Sequence, residues 1–528
     1  MFDNIILIGF MGTGKDIIGR EVARKSGMGF FSTDEFIELK ENKTVNIIFD
    51  KYNEDHFRKL EKDAVLTMKN LRNIVVATGG GTIIDKENRK ILQSMGEVIH
   101  LDAELNVIED RIRDDLHRPL IRGKKNIRKL YEERKSLYDC GKLTIDTSSR
   151  DPAAIADELI EKLRIQKRCT EVPRNTITVR TEQKTYSVHI GSDLIAFSED
   201  FARLLNLKSS RAIVITNPLI GTLYLKQLEE VLEDAGVTPL HYIIPDGEQY
   251  KTAVMVDRIY GFLLENKVTR HEQLIALGGG VIGDLCGFVA STYKRGTPLT
   301  QMPSTLLAQV DASVGGKTGI DHNLGKNMIG TFYQPDVVIS DVTMLLSLSD
   351  KEFRNGLAEI IKYSIVKDCA LFSLLEEKHK EIVARDIFIL AEIISRCVRI
   401  KSAIVEEDER EEKGIREILN YGHTVGHIIE MLTKYSEFSH GEAVAIGMVE
   451  EAKIARKNGF LKKDDLERIV ELISLYNLPI VIPEHISLDE IKTAILQDKK
   501  VRDGKILFPL IEEIGHATMK EVQCKKFL

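Results

Sequence analysis

Short apolar runs alternate with helix-length amphipathic stretches through the first 165 residues: "NIILIG" precedes Lys15 to Lys25, "NIVVATGGG" precedes Asp85 to Ser94, "EVIHLD" precedes Glu104 to Asp114, and "LTIDT" precedes Pro152 to Leu163. Such runs are too short for buried helices, and each is followed by a stretch long enough to cross back over a sheet. The pattern predicts βα units and a parallel sheet covered by helices. In "RIQKRCTEVPRN" the periodicity lapses into a charged, Pro-containing stretch, which places a linker at 166–172 and a first domain at 1–165. A second α/β series runs over 173–345: "RAIVITNP", a helix near Leu219 to Asp234, "PLHYIIPDGE", a helix near Thr252 to Glu265, then "QLIALGGGVIGDLCGF". Over 346–528, apolar residues recur at helical spacing, as in "LAEIIKYSIV" and "RDIFILAEIISRCVRIKSAIV", which predicts a largely helical third region.

The 528 residues, 43% hydrophobic, are enough for two to four domains with buried cores. With a net charge of -7 no global positive field draws the chain to nucleic acid or an anionic membrane, so its basic residues must act locally. "MFDNIILIG" lacks a secretory leader pattern, and the most apolar later run, "DIFILAEII", carries Glu392; neither secretion nor membrane spanning is expected. The six cysteines contain no Cys-x-x-Cys pair. A cytoplasmic enzyme is the expectation.

Gly9-Phe10-Met11-Gly12-Thr13-Gly14-Lys15 joins a predicted strand to a predicted helix, where backbone N–H groups and the helix N-terminus can cradle phosphates while Lys15 reaches the outer ones. The Ser/Thr that normally follows the lysine is replaced by Asp16. Downstream, "FFSTDEFIE", "HFRKLE", "ATGGGT", "LHRPLI" and "YEERKSLYD" follow in the order and spacing of shikimate kinases, and residues 1 to about 165 resemble that family. The resemblance implies an ATP site at Gly12, Thr13, Gly14, Lys15 and Asp16, with Arg111 near the base and Arg118 in a lid over the transferring phosphoryl group. Asp34, Arg58, the Gly79-Gly80-Gly81 turn and Arg134 would hold shikimate, since guanidinium groups pair with a carboxylate and an aspartate accepts from ring hydroxyls. Any one of these arginines could be a solvated helix charge; the ordered set argues otherwise. The family usually places Ser/Thr after the lysine and Asp-x-Asp after the second strand, whereas here the positions read Asp16 and Ser32. Hydroxyl and carboxylate have changed places. The swap could keep one of each at the magnesium that accompanies ATP, or it could leave a domain that binds nucleotide without turnover.

In the second half, "LIALGGGVIGDLCGF" suits close backbone approach to a pyrophosphate. "ILNYGHTVGHIIE" sets His423 and His427 four apart, and "FSHGEAVAIGM" adds His440, a cluster that favours a metal site. With "PDGEQYK", "YKRGTPLTQMPSTLLAQVDASVGGKTGID", "LGKNMIGTFYQP" and "FRNGLAEIIKY", residues 173–528 resemble 3-dehydroquinate synthase. The resemblance implies zinc, or another divalent metal, on Glu359, His423 and His440, with His427 beside it; spacing alone would admit both members of the His pair. It implies NAD on Asn217, Glu248, Lys251, Gly280, Asp284, Ser304, Thr305, Lys326, Ser347 and Asn355. The substrate, 3-deoxy-D-arabino-heptulosonate 7-phosphate, would meet Asp311, Lys317, Asn327, Lys362, Lys401, Arg416, Asn420 and His427, with Lys326 near it and Arg295 reaching in from a partner subunit. Either Lys499 or Lys500 would also reach it. "DEREEKGIR" is one residue longer than the family's usual acidic run; counting back from Arg416 places Glu412, rather than Glu411, in the site.

The sequence thus predicts an α/β protein: a P-loop kinase domain, a Rossmann-like NAD-binding α/β domain, and a mainly α-helical metal-binding domain. The implied activities are shikimate phosphorylation and NAD- and zinc-dependent synthesis of 3-dehydroquinate, in a homodimer formed through the synthase half. The alternatives are a nucleotide-binding module beside an active synthase, or another reaction on the NAD-metal scaffold, either polyol oxidation or a different sugar-phosphate cyclisation.

Overall fold

In the first half a five-stranded, all-parallel sheet forms. The structure, a computed structural model, describes residues 4–113, 127–165, 171–195, 198–205, 209–497, 501–502 and 505–523. Strand β1 (Ile5–Ile8) is buried on both faces, as a strand covered by helices on either side must be. It leads into helix α1 (Lys15–Ser26), then β2 (Gly29–Ser32), α2 (Thr33–Glu41), α3 (Glu54–Met68), β3 (Ile74–Ala77), β4 (Glu97–Asp102) and β5 (Leu143–Asp146). The strand order is β2-β3-β1-β4-β5. One apolar cluster fills each face: Ile6, Ile8, Phe31 and Val76 point one way, Ile5, Leu7, Phe30 and Val75 the other. Because the strands are parallel, the loops after β1, β2 and β3 lie on one rim.

A seven-stranded sheet organises the second half. Its strands are β6 (Asn175–Arg180), β7 (Thr185–Gly191), β8 (Arg211–Thr216), β9 (Thr238–Ile243), β10 (Gln273–Gly278), β11 (Leu299–Pro303) and β14 (Val337–Asp341), in the order β6-β7-β14-β11-β10-β8-β9. Only the β6–β7 pair is antiparallel. From β8 the chain goes outward to β9 and then returns to the other side of β8 to form β10. The crevice at the ends of β8 and β10 is therefore a topological switch point, where open α/β sheets bind ligands. Helix α4 (Gly280–Thr292) starts there, and a hairpin, β12 (Lys317–His322) with β13 (Gly325–Phe332), lies near it.

Four helices carry the rest of the site: α5 (Asp350–Lys367), α6 (Ile387–Glu407), α7 (His423–Leu432) and α8 (His440–Lys457). The third region is less purely helical than its spacing predicts, because β15 (Val501–Arg502), β16 (Lys505–Glu513) and β17 (His516–Gln523) form an antiparallel sheet. Phe508, Leu510 and Ile511 on β16 are buried against the helices, an apolar run too short to stand out from the surrounding helical spacing. No described helix is long and apolar enough to cross a membrane.

The halves pack against each other. Leu223 joins the core of the first half, and Leu39 of α2 packs against a core of the second. Arg72 pairs with Asp350 at 2.9 Å, and its backbone N–H reaches the Ser347 carbonyl.

Candidate active sites

At the first rim, the β1–α1 loop depends on glycine. Gly12 and Gly14 have φ of 82° and 84°, and a Cβ on Gly12 would lie 2.9 Å from the Ile112 side chain. The buried Lys15 ammonium donates to the Gly9 and Phe10 carbonyls, both at 3.0 Å, so it closes back over the loop it follows. Thr13 donates to the Phe10 carbonyl, and Arg111 donates to the carbonyls of Gly12, Thr147 and Ser148. Ser32, at the end of β2, donates to Asp16 Oδ1 at 2.8 Å while capping α2 through the Glu35 N–H. The exchanged pair is in direct contact.

Across the rim, Arg58 on α3 is paired with Glu54 at 2.9 Å and with Glu61. Burial acts against its charge, but Glu61 and Glu54 outweigh it and raise the pKa. Burial, with Arg58 nearby, pulls the buried Arg134 below its ordinary value. The Gly79-Gly80-Gly81 turn closes the cluster: a Cβ on Gly79 would lie 2.8 Å from Asp34, and Tyr138 donates to the Gly80 carbonyl. Asp34, Arg58, Gly80 and Arg134 therefore share one neighbourhood. Glu61, fully buried and accepting from Thr82, was missed in the sequence although it stands one helical turn from Arg58. Arg118 lies outside the described residues.

The second site is a cavity of about 620 Å³ between the β12–β13 hairpin and helices α5, α6 and α7. Glu359 of α5 is completely buried, and its Oε1 lies 3.4 Å from His423 Nε2 and 3.6 Å from His440 Nε2 without a hydrogen bond. The three donor atoms lie within 4.8 Å of one another. His423 Nδ1 faces the Tyr421 carbonyl at 3.1 Å and His440 Nδ1 faces Glu430 at 3.6 Å, so both Nε2 atoms are directed inward. This donor set fits a tetrahedral divalent metal with an open position. Burial pushes the His423 imidazole down to about 3, against the pull of Glu359. His440 is raised to about 9 because Glu359 and Glu430 outweigh its burial. His427 stands at the cavity edge, its ring 5.3 Å from that of His423, and with Glu430 and His440 it forms a second possible ligand group.

Cations line the rest of the cavity, each tied to a carboxylate. Lys362 pairs with Glu359, and Lys401 donates to the Asp311 carbonyl at 2.7 Å and its carboxylate at 2.5 Å. Tyr363 donates to the same carboxylate, a role the sequence did not suggest. Lys317 pairs with Glu411, which also lies 3.7 Å from Arg416. Here the count along the chain fails: Glu411, not Glu412, faces the cavity. Glu411 takes φ of 59°, and this left-handed residue turns its side chain inward and leaves Glu412 exposed. Asn420 and Asn327 complete the lining.

Beside the cavity, at the switch point, Lys251 donates to Asp284 and Asn327, both at 2.6 Å, with Glu248 3.9 Å away. Burial, partly offset by Lys251, raises the Asp284 carboxyl. Gly280 opens α4 where an added Cβ would meet only Ala312, at 3.6 Å, leaving room for a backbone-hugging ligand. Thr305 flanks Gly279, Ser304 is buried with a hydroxyl lacking a protein partner, and Asn217 caps the turn after β8. Ser347 hydrogen-bonds Tyr224, and Asn355 accepts from the Gly441 N–H, so it also fixes the start of α8 beside His440. Lys326 lies on the hairpin over the Tyr435 ring, 4.0 Å from Glu430. Arg295 is exposed and does not line the cavity of its own chain. Lys499 and Lys500 lie outside the described residues.

Family models for the 3-dehydroquinate synthase N-terminal and C-terminal parts match residues 241–355 and 356–501. A curated 3-dehydroquinate synthase from Geobacter metallireducens is 45% identical over 340 residues, which are 64% of this chain and 94% of that protein. The chain belongs to the 3-dehydroquinate synthase family. Its first part matches the shikimate kinase family model over residues 11–164, so a kinase-family domain precedes the synthase. The synthase of Thermodesulfovibrio yellowstonii is 48% identical over 314 residues, 59% of this chain and 87% of that protein. Among solved structures, a 2-epi-5-epi-valiolone synthase from Streptomyces hygroscopicus with NAD+ and Zn2+ bound superposes with a TM-score of 0.61 at 29% identity, covering 66% of this chain and 96% of that one. The synthase half and the kinase half are named accordingly below.

Proposed function

We propose that the protein is bifunctional, converting 3-deoxy-D-arabino-heptulosonate 7-phosphate to 3-dehydroquinate and phosphate in one half and phosphorylating the shikimate 3-hydroxyl with ATP and magnesium in the other. The observation that carries the synthase reading is one cavity that joins the Glu359, His423 and His440 donor set to a wall of lysines beside the strand switch point. When bound, NAD and zinc would supply transient oxidation of one ring alcohol and its polarisation; the structure of the similar valiolone synthase holds both. Glu359, His423 and His440 would hold the metal, and the switch-point residues Asn217, Glu248, Lys251 and Asp284 the dinucleotide. Lys362 and Lys401, oriented by Glu359 and Asp311, would neutralise the substrate's phosphate and carboxylate. Lys317 and Arg416 line the same cavity, and His427, at its edge, would hold or pass a proton. The curated relatives favour the heptulosonate phosphate over the substrate of the valiolone enzyme.

In the kinase half, Arg58 and Arg134 would take the shikimate carboxylate and Asp34 its hydroxyls, with Lys15 on the ATP phosphates. The Asp16–Ser32 contact favours a second reading, a domain that binds nucleotide but turns over slowly, because the carboxylate sits on a loop built for polyphosphate. We assign the assembly as a cytoplasmic homodimer formed through the synthase half, which would let the exposed Arg295 serve a partner's site.

One sample tests both halves. Shikimate-dependent ADP release and heptulosonate-dependent phosphate release from the full chain support the bifunctional reading. Phosphate release without ADP release leaves the second reading, and net NADH accumulation would indicate a dehydrogenase.

A further inference from the structure

Helix α7 begins at His423, one of the three metal donors, and it begins without a cap of its own: the residue before it is Gly422, which has φ of 80° and no side chain. The first backbone N–H groups of a helix have no partner within it, and a side-chain oxygen commonly takes them. Here the oxygens come from another helix. Glu451 of α8 is completely buried, and its carboxylate accepts from the Gly422 N–H through one oxygen and from the Val425 N–H, at 3.5 Å, through the other. Those two N–H groups lie on either side of His423 in the chain.

Close helix packing makes this reach possible. A Cβ on Gly447 would lie 1.9 Å from the Gly422 carbonyl oxygen, and one on Gly422 would lie 2.5 Å from the Met448 side chain, so glycine at both positions lets the two backbones touch. Just before Glu451 on α8, the Met448 carbonyl accepts from the Tyr421 hydroxyl at 2.6 Å, and Tyr421 presents its own carbonyl to His423 Nδ1 at 3.1 Å. Helix α8 also carries His440, about three turns before Glu451. One helix thus supplies one donor and holds the segment that supplies another, with Glu359 of α5 within 3.6 Å of both.

We propose that Glu451 is a positioning residue for the metal site: its carboxylate fixes the backbone on both sides of His423 and so sets where that imidazole's Nε2 stands relative to Glu359 and His440. The inference rests on the metal reading above and extends it to a group that is not itself a donor. Glutamine at this position would keep the volume but offer one acceptor oxygen, and its NH2 group would have to face one of the two N–H groups. It would also take a negative charge away from the positive end of α7. The start of α7 would then lose one of its two tethers to α8, and His423 would no longer be held ready for the metal. Removing a group that orients a metal ligand typically lowers metal affinity about 10- to 100-fold.

The test uses the full-length protein stripped of metal, with zinc affinity read by competition with a chromogenic chelator and ligand geometry read from the visible absorption of bound cobalt(II). Wild type is compared with Glu451→Gln and with Asp386→Ala, which removes the cap of α6 and so costs stability away from the metal donors. The expected result is a zinc Kd raised about tenfold or more in Glu451→Gln, with a weakened cobalt spectrum, while Asp386→Ala melts at a lower temperature and keeps the wild-type Kd and spectrum. A folded Glu451→Gln protein with wild-type zinc affinity and cobalt spectrum overturns the proposal, leaves Glu451 as a helix cap alone, and leaves the metal reading intact. Should Glu451→Gln not fold, Glu451→Asp decides on the same two readouts, because it keeps the charge but draws the carboxylate back from the Gly422 and Val425 N–H groups. A wild-type protein that binds neither zinc nor cobalt overturns the metal reading, and this inference with it.

Discussion

The contact between Asp16 and Ser32 makes a sharp prediction about the kinase half. Ser32 Oγ donates to Asp16 Oδ1 at 2.8 Å, a hydrogen bond to a charged acceptor, worth roughly 1.5–3 kcal/mol when sheltered. Asp16→Ser removes the one carboxylate of the pair. Ser32→Asp instead sets two carboxylates side by side; at about 4 Å and an effective dielectric near 20 their repulsion is on the order of 4 kcal/mol. Asp16 is exposed, and solvent screening brings that figure down to roughly 1–2 kcal/mol. The double variant restores one hydroxyl and one carboxylate with their places exchanged. If the pair serves magnesium as a unit, each single change should lower shikimate-dependent ADP release about tenfold or more, and the double variant should recover most of the loss, a coupling of roughly 2–3 kcal/mol. Manganese binding in the presence of ADP, read by electron paramagnetic resonance, should follow the same cycle without depending on turnover. Losses that simply add in both readouts would refute the idea that the two positions compensate.

Two further outcomes follow from the site geometry. An added Cβ at Gly81 would lie 2.0 Å from an Arg58 guanidinium nitrogen, so Gly81→Ala should displace Arg58 and raise KM for shikimate by about tenfold or more, measured against an unchanged KM for ATP. Burial acts to raise the Asp311 carboxyl, but Lys401 and Lys362 outweigh it and hold it below its ordinary 3.8. A carboxyl depressed on folding stabilises above its unfolded pKa, and that stability is lost as pH falls below it. The melting temperature of the synthase half should therefore fall as pH drops below about 4, and Asp311→Asn should flatten that dependence while lowering stability at pH 7.

What the sequence made legible, and what it hid, divides along physical lines. Alternating apolar runs predicted the sheets because both faces of a parallel strand must be covered. The short C-terminal sheet escaped because β16 and β17 pack on helices whose spacing surrounds them in the chain. Glu359 was reachable only through family resemblance, since a carboxylate in "LAEIIKY" has no local mark of its burial. Glu411 was misassigned because counting along a chain assumes regular backbone, and one left-handed residue changes which side chain points inward. Tyr363 and Glu61 act through other residues, orienting Asp311 and Arg58, and a sequence carries no direct signal for that kind of role.

The cations of both halves follow one rule that reconciles an acidic protein with the anionic substrates proposed for it. Lys362, Lys401, Lys317 and Lys251 each hold a carboxylate in the structure, as does Arg58. A buried lysine without a partner would shed its proton rather than wait for a ligand, and burial, with Arg416 and Lys362 nearby, does pull Lys401 below its ordinary value despite Asp311. Pairing keeps these groups charged and aimed before substrate arrives, and it leaves the net charge of the cavity near zero. A phosphate or carboxylate entering must then share each cation with a fixed carboxylate, which weakens binding of any anion that meets only one pair. A substrate bearing both a phosphate and a carboxylate meets several pairs at once, so the arrangement gives up affinity for simple anions and gains discrimination by charge spacing.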